Sequence, residues 1–111
     1  MQEVNHNSVH CPMVTVQKVL SSKWSLLIIY YLKDGAVRFN ELLRMFDGIT
    51  HATLTKQLKW LEQCGIVNRK VYEQIPPKVE YSLTELGYKL QPTLDCLTEW
   101  GKEYIKQSKT K

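Results

Sequence analysis

The stretch that decides the fold of this chain is THATLTKQLKWLE, residues 50–62. Its leucines, Leu54, Leu58 and Leu61, recur every three or four residues. This spacing predicts a helix whose leucines share one apolar face that packs against a core. The opposite side of that helix is then left for solvent or for a partner.

The ends of this helix can also be predicted. Thr50 stands at the expected N-cap, and Gly65 stands where a glycine commonly ends a helix, which together predict a helix over residues 50–64. The outward side carries short polar groups and lysine, with no acid before Glu62. Such a face suits insertion into the major groove of DNA, but it is also typical of an ordinary amphipathic surface helix. The neighbouring segments must decide between the two.

The composition predicts one globular domain that can bind a polyanion. The chain has 111 residues, of which 43% are hydrophobic, a formal net charge of +4 and a pI of about 9.0. The length allows one domain with a modest core, and the basic balance permits a nucleic-acid partner without requiring one. We expect flexible ends over residues 1–10 and 107–111 around a single domain over residues 11–106.

The cysteine and apolar patterns favour a reducing, cytoplasmic location. The first ten residues are polar, and the longest apolar run, residues 26–32, is too short to span a bilayer. The cysteines are three in number, at positions 11, 64 and 96, which does not suggest a disulfide framework. No Cys/His grouping has zinc spacing, and we expect neither a metal nor a cofactor.

The segment before residue 50 completes a helix-turn-helix pattern. Residues 24–32 are almost continuously apolar and predict a helix buried on most sides. Residues 37–39 fit a brief strand, and residues 40–46 a short helix capped by Asn40. A short helix, a tight turn containing glycine and the helix over residues 50–64 form the motif that DNA-binding proteins use.

The segment after this helix changes from helical to strand periodicity. Residues 66–72 and 79–83 alternate as two strands, and the prolines of the loop 73–78 cannot donate to a β-ladder. The fold class is therefore mainly α with a small β-hairpin, a winged helix-turn-helix. Winged helices also serve as protein-binding modules without DNA affinity, so the fold alone does not settle function.

The chain ends and begins with further helices. Ser82 and Glu85 have the spacing of a capping box for the last helical region, and Pro92 should divide that region into a short and a long helix. Pro12 fits the first position of an initial helix and makes Cys11 its N-cap. These terminal helices either close the core of the protomer or pair with a twin, and we favour a homodimer interface. Its predicted residues are Met13, Val16, Leu94, Leu97, Trp100 and Tyr104.

The candidate DNA contacts fall into two groups. The first turns of a recognition helix approach base edges, whereas lysine and arginine supply the phosphate contacts. The candidates for base reading are Thr50, His51, Ala52, Thr53, Thr55, Lys56 and Gln57. The candidates for backbone contact are Lys23, Arg38, Lys59, Arg69, Lys70 and Lys78. Gln74 and Lys78 are predicted to lie at the wing tip, with Arg69 and Lys70 on the strand below. Any of these charged residues could instead be ordinary surface charge.

Several motifs together resemble the HxlR-type winged-helix transcription regulators of prokaryotes. The resemblance extends from about Cys11 to Gly101. It is carried by Cys11-Pro12, Lys23-Trp24, residues 38–42, Gly48-Ile49-Thr50, Leu54-Thr55, Leu58, Leu61-Glu62, residues 65–67, residues 76–87 and residues 99–101. The resemblance implies a homodimer that joins through its first and last helices and binds a palindromic operator.

The chain departs from the pattern of that family at four places. Ser21-Ser22 stands where two glycines are common, and Gln57 stands where arginine is usual. His51 and Ala52 also differ from the commoner residues. The operator sequence therefore cannot be taken over from relatives.

Cys11 is the candidate sensing residue. A thiol at a helix N-cap lies at the positive end of the helix dipole, which favours the reactive thiolate. In part of the resembling family the cysteine at this position senses oxidants or electrophiles, in some members through a disulfide to the partner subunit. Cys96, on the terminal helix, is the candidate partner thiol because we expect the first and last segments to meet at the dimer interface, whereas we expect Cys64 to be structural. The alternative is that Cys11 merely caps or packs.

Three classes of function can be compared on these observations. The basic wing, the acid-free recognition face and the resemblance favour a dimeric DNA-binding regulator, most simply a repressor, with an oxidant or electrophile as its signal. A winged-helix module that binds proteins without DNA affinity is the alternative. An enzyme is not expected, because no phosphate loop, nucleophile elbow or paired carboxylates stand out.

Overall fold

The computed structural model describes residues 11–109. These residues form a winged helix with a three-stranded sheet. The helices are α1 (Pro12–Val19), α2 (Ser25–Tyr31), α3 (Phe39–Met45), α4 (His51–Gln63), α5 (Glu85–Tyr88) and α6 (Gln91–Lys109), and the strands are β1 (Val37–Arg38), β2 (Val67–Tyr72) and β3 (Lys78–Leu83). The N-terminus predicted to be flexible, residues 1–10, lies outside the described residues. The helix α6 continues past residue 107, where we had placed the start of the tail.

The core forms where α2, α3 and α4 meet the sheet. Leu54, Leu58 and Leu61 of α4 are almost fully buried, so the predicted apolar face of this helix is confirmed. They pack in one cluster with Ile28 and Ile29 of α2 and with apolar residues of α3 and the strands. Burial of each such side chain contributes about 1.5–3 kcal/mol, and this cluster therefore fixes how α4 is presented.

The sheet confirms the predicted hairpin and adds a third strand to it. Its order is β1-β3-β2, and both pairs are antiparallel. β2 and β3 pair along their whole length, whereas β1 contributes only Val37 and Arg38, opposite Tyr81 and Glu80. The brief strand predicted over residues 37–39 therefore becomes the edge that brings the start of α3 to the wing.

Two predicted helix caps were wrong. Asn40 lies inside α3, whose N-cap is Arg38, because Glu41 accepts a hydrogen bond from the Arg38 backbone N–H at 3.4 Å. Ser82 belongs to β3, and the N-cap of α5 is Thr84. The hydroxyl oxygen of Thr84 accepts from the Gly87 N–H at 3.0 Å. The ladder to β2 holds Ser82 in extended conformation, so the helix cannot start there.

Two burial predictions also need correction. Leu26 and Leu27 of α2 are exposed, so this helix is buried on one face rather than on most sides. Leu94, which we expected at the dimer interface, is only 5% exposed and belongs to the core of the protomer. The predicted division of the last helical region is confirmed, with Pro92 in the first turn of α6.

The end of α4 and the start of α5 lie in close contact. Gly65 follows α4 with a φ of +80°, the left-handed conformation that glycine adopts without strain. Its carbonyl accepts from the Thr84 hydroxyl at 2.6 Å. A side chain added at Gly87 would place its Cβ 2.5 Å from the Ile66 carbonyl oxygen. The orientation of α4 is therefore fixed at its C-terminal end as well as by its leucines.

Candidate nucleic-acid interface

The start of α4 is fixed by hydrogen bonds among its own threonines. The Thr50 hydroxyl accepts from the Thr53 N–H at 3.1 Å and donates to the Thr53 hydroxyl at 2.9 Å. The Thr55 hydroxyl donates to the His51 carbonyl at 2.9 Å. The bonds between Thr50 and Thr53 cap the first turn of the helix, as expected of Thr50, whereas the Thr55 hydroxyl is occupied by a carbonyl within the helix.

The exposed side of α4 presents a row of other residues. His51, Ala52, Lys56 and Lys59 are exposed, and for Ala52, Lys56 and Lys59 the helical spacing predicted this. The ring of His51 also packs on Phe39 of α3, with ring centroids 4.5 Å apart. The row therefore starts from a position fixed against the first helix of the motif, and its charges before Glu62 are positive.

A cleft of about 460 Å³ lies beside this row. It is lined by Gln57, which is half-buried, together with Lys56 and Trp60 of α4 and with Lys18 and Ser21 from the other side. Sequence reasoning missed Lys18, because helical periodicity within α1 says nothing about its distance from α4. The cleft therefore brings Lys18 close to the exposed row of α4.

The wing carries a cluster centred on Glu80. Its carboxylate accepts a hydrogen bond from the Tyr72 hydroxyl at 3.0 Å and lies 3.4 Å from the Lys78 ammonium. The hydrogen bond from Tyr72, followed by the charges of Lys78 and Arg38, lowers the pKa of Glu80, although partial desolvation opposes this. Lys70 and Lys78 lie over the ring of Tyr72 at 4.9 and 4.4 Å. Lys78 is therefore engaged at the base of the wing and is not a freely moving charge at its tip.

Two further clefts lie between the wing and the helices. Arg69 lines a cleft of about 240 Å³ with Thr55, Lys59 and Glu62 of α4. A larger cleft of about 580 Å³ lies between the start of α3 and the wing, and its cationic lining residues are Arg38, Arg44 and Lys78. Sequence reasoning missed Arg44, because only the pairing of β1 with β3 brings α3 to the wing.

The remaining predicted DNA contacts lie at separate places. Gln74 is exposed in the loop at the end of the wing. Lys23 precedes α2, and its ammonium lies 4.7 Å from the centroid of the Trp24 ring. It does not line the three clefts described above.

The three cysteines occupy different environments. Cys11 is the N-cap of α1, as predicted, and is half-buried. Cys96 is exposed on α6, and burial raises the pKa of the Cys64 thiol. All three are free thiols. No group of three possible metal ligands occurs within residues 11–109.

A hydrogen bond links α1, whose N-cap is Cys11, to α4. The indole N–H of Trp60 on α4 donates to the carbonyl of Val19, the last residue of α1, at 2.9 Å. Every side chain of α1 is at least partly exposed within the described chain. The contact from Trp60 therefore adds to the packing of Val19 and Leu20 against the core in positioning α1.

The comparison with known families decides what this arrangement is. Residues 19–109 match the HxlR-like helix-turn-helix family. The chain belongs to this family. Relatives of the chain are HTH-type transcriptional regulators, and the chain is a transcription regulator with a helix-turn-helix fold. No helix in the described part of the chain is long and apolar enough to cross a membrane.

Individual proteins to which the chain is similar are regulators as well. The chain is 45% identical over 94 residues to the uncharacterised HTH-type transcriptional regulator YdeP of Bacillus subtilis. The aligned region covers 85% of this chain and 73% of YdeP. The redox regulator HypR in its reduced form superposes with a TM-score of 0.83 at 43% identity, over 90% of this chain and 99% of HypR. The reduced form of the regulator YodB from B. subtilis gives a TM-score of 0.73 at 37% identity, over 85% and 93% of the two chains.

Proposed function

We propose that this protein is a homodimeric repressor that binds a palindromic operator. The observation that carries the proposal is the exposed row of α4, which is cationic before Glu62 and is held between a rigid core and a cationic wing. In this arrangement α4 enters the major groove, and the loop 73–78 reaches the backbone or the minor groove. Winged-helix geometry allows both contacts at once.

The proposed roles of the residues follow from what each side chain is free to do. Ala52 and Lys56 face outward and are the leading base-reading residues, with Gln57 and His51 at the margins of the same face. Thr50, Thr53 and Thr55 contribute mainly by fixing the helix, since their hydroxyls already have partners. The proposed phosphate contacts are Lys59, Arg69, Lys70, Arg38, Lys78 and Lys23, with Gln74 at the tip.

The proposed dimer covers apolar side chains that the protomer leaves in solvent. Trp100 and Tyr104 of α6 are 66% and 61% exposed, and their rings stack with centroids 5.5 Å apart. Met13 and Val16 of α1 and Leu97 of α6 are exposed as well. Apolar surface of this kind is typical of an interface with a second copy.

The proposal can be tested by selecting duplexes from a random-sequence library with the purified protein. We expect an inverted repeat whose half-site centres lie about 34 Å apart, one helical turn. The affinity should fall steeply with salt, and the complex should contain two protomers. A selected site with a single unrepeated half-site, or a protein that selects no duplex at all, would refute the operator model.

We also infer that Cys11 senses oxidants or electrophiles. Cys11 is the half-buried N-cap of α1, and HypR, to which the chain is similar, is a redox regulator. With diamide as oxidant, Cys11 and Cys96 of the partner subunit each lose one hydrogen and form a disulfide. The N=N bond of diamide takes up both hydrogens and is reduced to a hydrazine.

The sensing model makes separable demands on the three cysteines. Diamide should release DNA from the wild type but not from Cys11→Ser, and a disulfide-linked dimer should be absent from both Cys11→Ser and Cys96→Ser. Cys64→Ser is the matched control, because burial raises the pKa of that thiol and disfavours its reaction. A Cys11→Ser protein that still releases DNA with diamide would remove Cys11 as the sensor.

A further inference from the structure

The end of the wing carries an isoleucine that the fold leaves entirely in solvent. Ile75 is 99% exposed, and the neighbouring Pro76 and Pro77 are exposed as well. Single exposed apolar side chains are ordinary, but here three consecutive apolar residues occupy the turn of a projecting hairpin. We call Ile75, Pro76 and Pro77 the apolar tip.

The support beneath the apolar tip is rigid. β2 and β3 are in register up to the pair Tyr72 and Lys78, directly below the loop. On one side of this hairpin the Tyr72 hydroxyl and the Lys78 ammonium both bind the Glu80 carboxylate. The two prolines fix their own φ angles. Little conformational entropy is therefore lost when the tip makes a contact.

The charge around the apolar tip indicates which kind of molecule it contacts. Pro76 and Pro77 form one wall of the 580 Å³ cleft whose cationic residues are Arg38, Arg44 and Lys78. Of the acids of this region, Glu41 also lines the cleft, Glu80 forms an ion pair with Lys78, and Glu73 lies beside the tip. The positive charge of the cleft therefore comes mainly from Arg38 and Arg44. An apolar point above a mainly cationic cleft fits a polyanion that also offers an apolar surface. Duplex DNA has this combination, with phosphates outside and stacked bases inside its grooves.

We propose that Ile75 inserts as an apolar wedge into the minor groove of DNA, while the cleft lined by Arg38, Arg44 and Lys78 holds the adjacent phosphates. The proposal rests on the DNA-binding function proposed above and assigns a residue that reads deformability rather than base edges. Isoleucine and proline are among the side chains that enter a base step from the minor groove and kink the duplex. Pyrimidine–purine steps kink most easily, so the wedge favours such a step at the position of the wing.

The test compares Ile75→Asn with Ile75→Val. Asparagine removes the apolar character of the side chain at similar size. Valine removes one methylene but keeps the side chain apolar. Because Ile75 is 99% exposed, both variants should unfold at the same urea concentration as the wild type. The DNA is a duplex selected by the wild type, labelled at both ends so that energy transfer reports its bend.

We expect Ile75→Asn to bind at least about tenfold more weakly and to bend the duplex less, with an unchanged salt slope because no charge is lost. Ile75→Val should lose no more than about fourfold, the value of one methylene. Lys78→Ala is the charge control and should lower the salt slope.

Three outcomes would overturn the wedge. One is wild-type binding and bending by Ile75→Asn, and another is an equal loss in Ile75→Val. The third is an effect of Ile75→Asn on self-association alone, which would make the tip a protein contact. A wild type that selects no duplex would overturn the proposed function itself. That outcome is distinct, since these three all start from a wild type that binds.

Discussion

The indole N–H of Trp60 lies 2.9 Å from the carbonyl oxygen of Val19 and joins the recognition helix to the end of α1. The last carbonyls of a helix have no partner within that helix. Trp60 supplies one from a position 41 residues further along the chain. The helix whose first residue follows Cys11 is thereby connected at its other end to the helix that we place in the major groove.

Replacing Trp60 with phenylalanine should loosen α1. The ring remains but the hydrogen bond is lost, so we expect a cost of about 0.5–1.5 kcal/mol in the free energy of unfolding, measured in urea. Amide hydrogen exchange should accelerate mainly in residues 12–19. Lys59→Ala, at the neighbouring exposed position, is the control and should leave both quantities unchanged. Equal exchange in α1 of Trp60→Phe and the wild type would show that the bond does not position this helix.

Replacing either of two glycines with alanine should change the free energy of unfolding in opposite directions, because Gly87 lies against Ile66 and Gly101 does not. Gly87→Ala forces a Cβ against the Ile66 carbonyl oxygen, and we expect a loss of about 1–3 kcal/mol. Gly101→Ala is the matched control, because its added Cβ meets nothing within 4 Å and alanine is the better helix former by about 1 kcal/mol. Urea unfolding of both variants at one protein concentration decides the matter. A neutral Gly87→Ala would show that the junction adjusts at no cost.

Lys56 and Lys78 should differ in their contribution to DNA binding. Lys56→Ala should weaken operator binding and, if the ammonium contacts a phosphate, lower the salt slope by about one. Lys78→Ala also deprives Glu80 of its ion-pair partner and leaves that carboxylate facing the DNA, so its loss should be larger. The double variant Lys78→Ala/Glu80→Gln should recover part of it. Lys106→Ala on α6 is the control, and an equal effect of Lys106→Ala would mean that only net charge matters.

The cluster around Glu80 predicts how the wing responds to acid. The hydrogen bond from Tyr72 and the charge of Lys78 lower the pKa of Glu80 in the folded protein. The stabilisation is therefore present at pH values above the ordinary carboxyl pKa of about 4.3. It is lost as the pH falls through the lowered pKa of Glu80. Wild type and Glu80→Gln should differ in melting temperature at pH 6 and converge towards pH 3. In Tyr72→Phe the pKa of Glu80, followed by NMR, should rise, and an unchanged value would refute the role of the hydroxyl.

Periodicity alone predicted the elements that carry most of the site. The leucines of α4 fix its buried face, and Gly65 fixes its end, because both signals arise within the helix itself. The alternation of residues 66–72 and 79–83 predicts the wing for the same reason. These features depend on neighbours in the sequence, which is the information that a pattern contains.

The errors arise where partners distant in the chain decide. Asn40 and Ser82 have the composition of caps, but pairing of the strands moved the helix starts to Arg38 and Thr84. Leu94 lies on the same apolar stripe as Leu97, and only the packing of α6 on α2 determines which of them is buried. The clefts that Lys18 and Arg44 line likewise form only once α1 has packed beside α4 and β1 has paired with β3.

The short edge strand β1 has a consequence for the behaviour of the free protein. The order β1-β3-β2 leaves β1 and β2 at the margins of the described sheet. A margin of unpaired backbone groups invites strand addition and aggregation, unless it is short or carries charge. β1 is only two residues long, and β2 carries Arg69 and Lys70 at its middle. The same cations that we assign to the nucleic-acid backbone therefore also keep an exposed hairpin from polymerising with its copies while no DNA is bound.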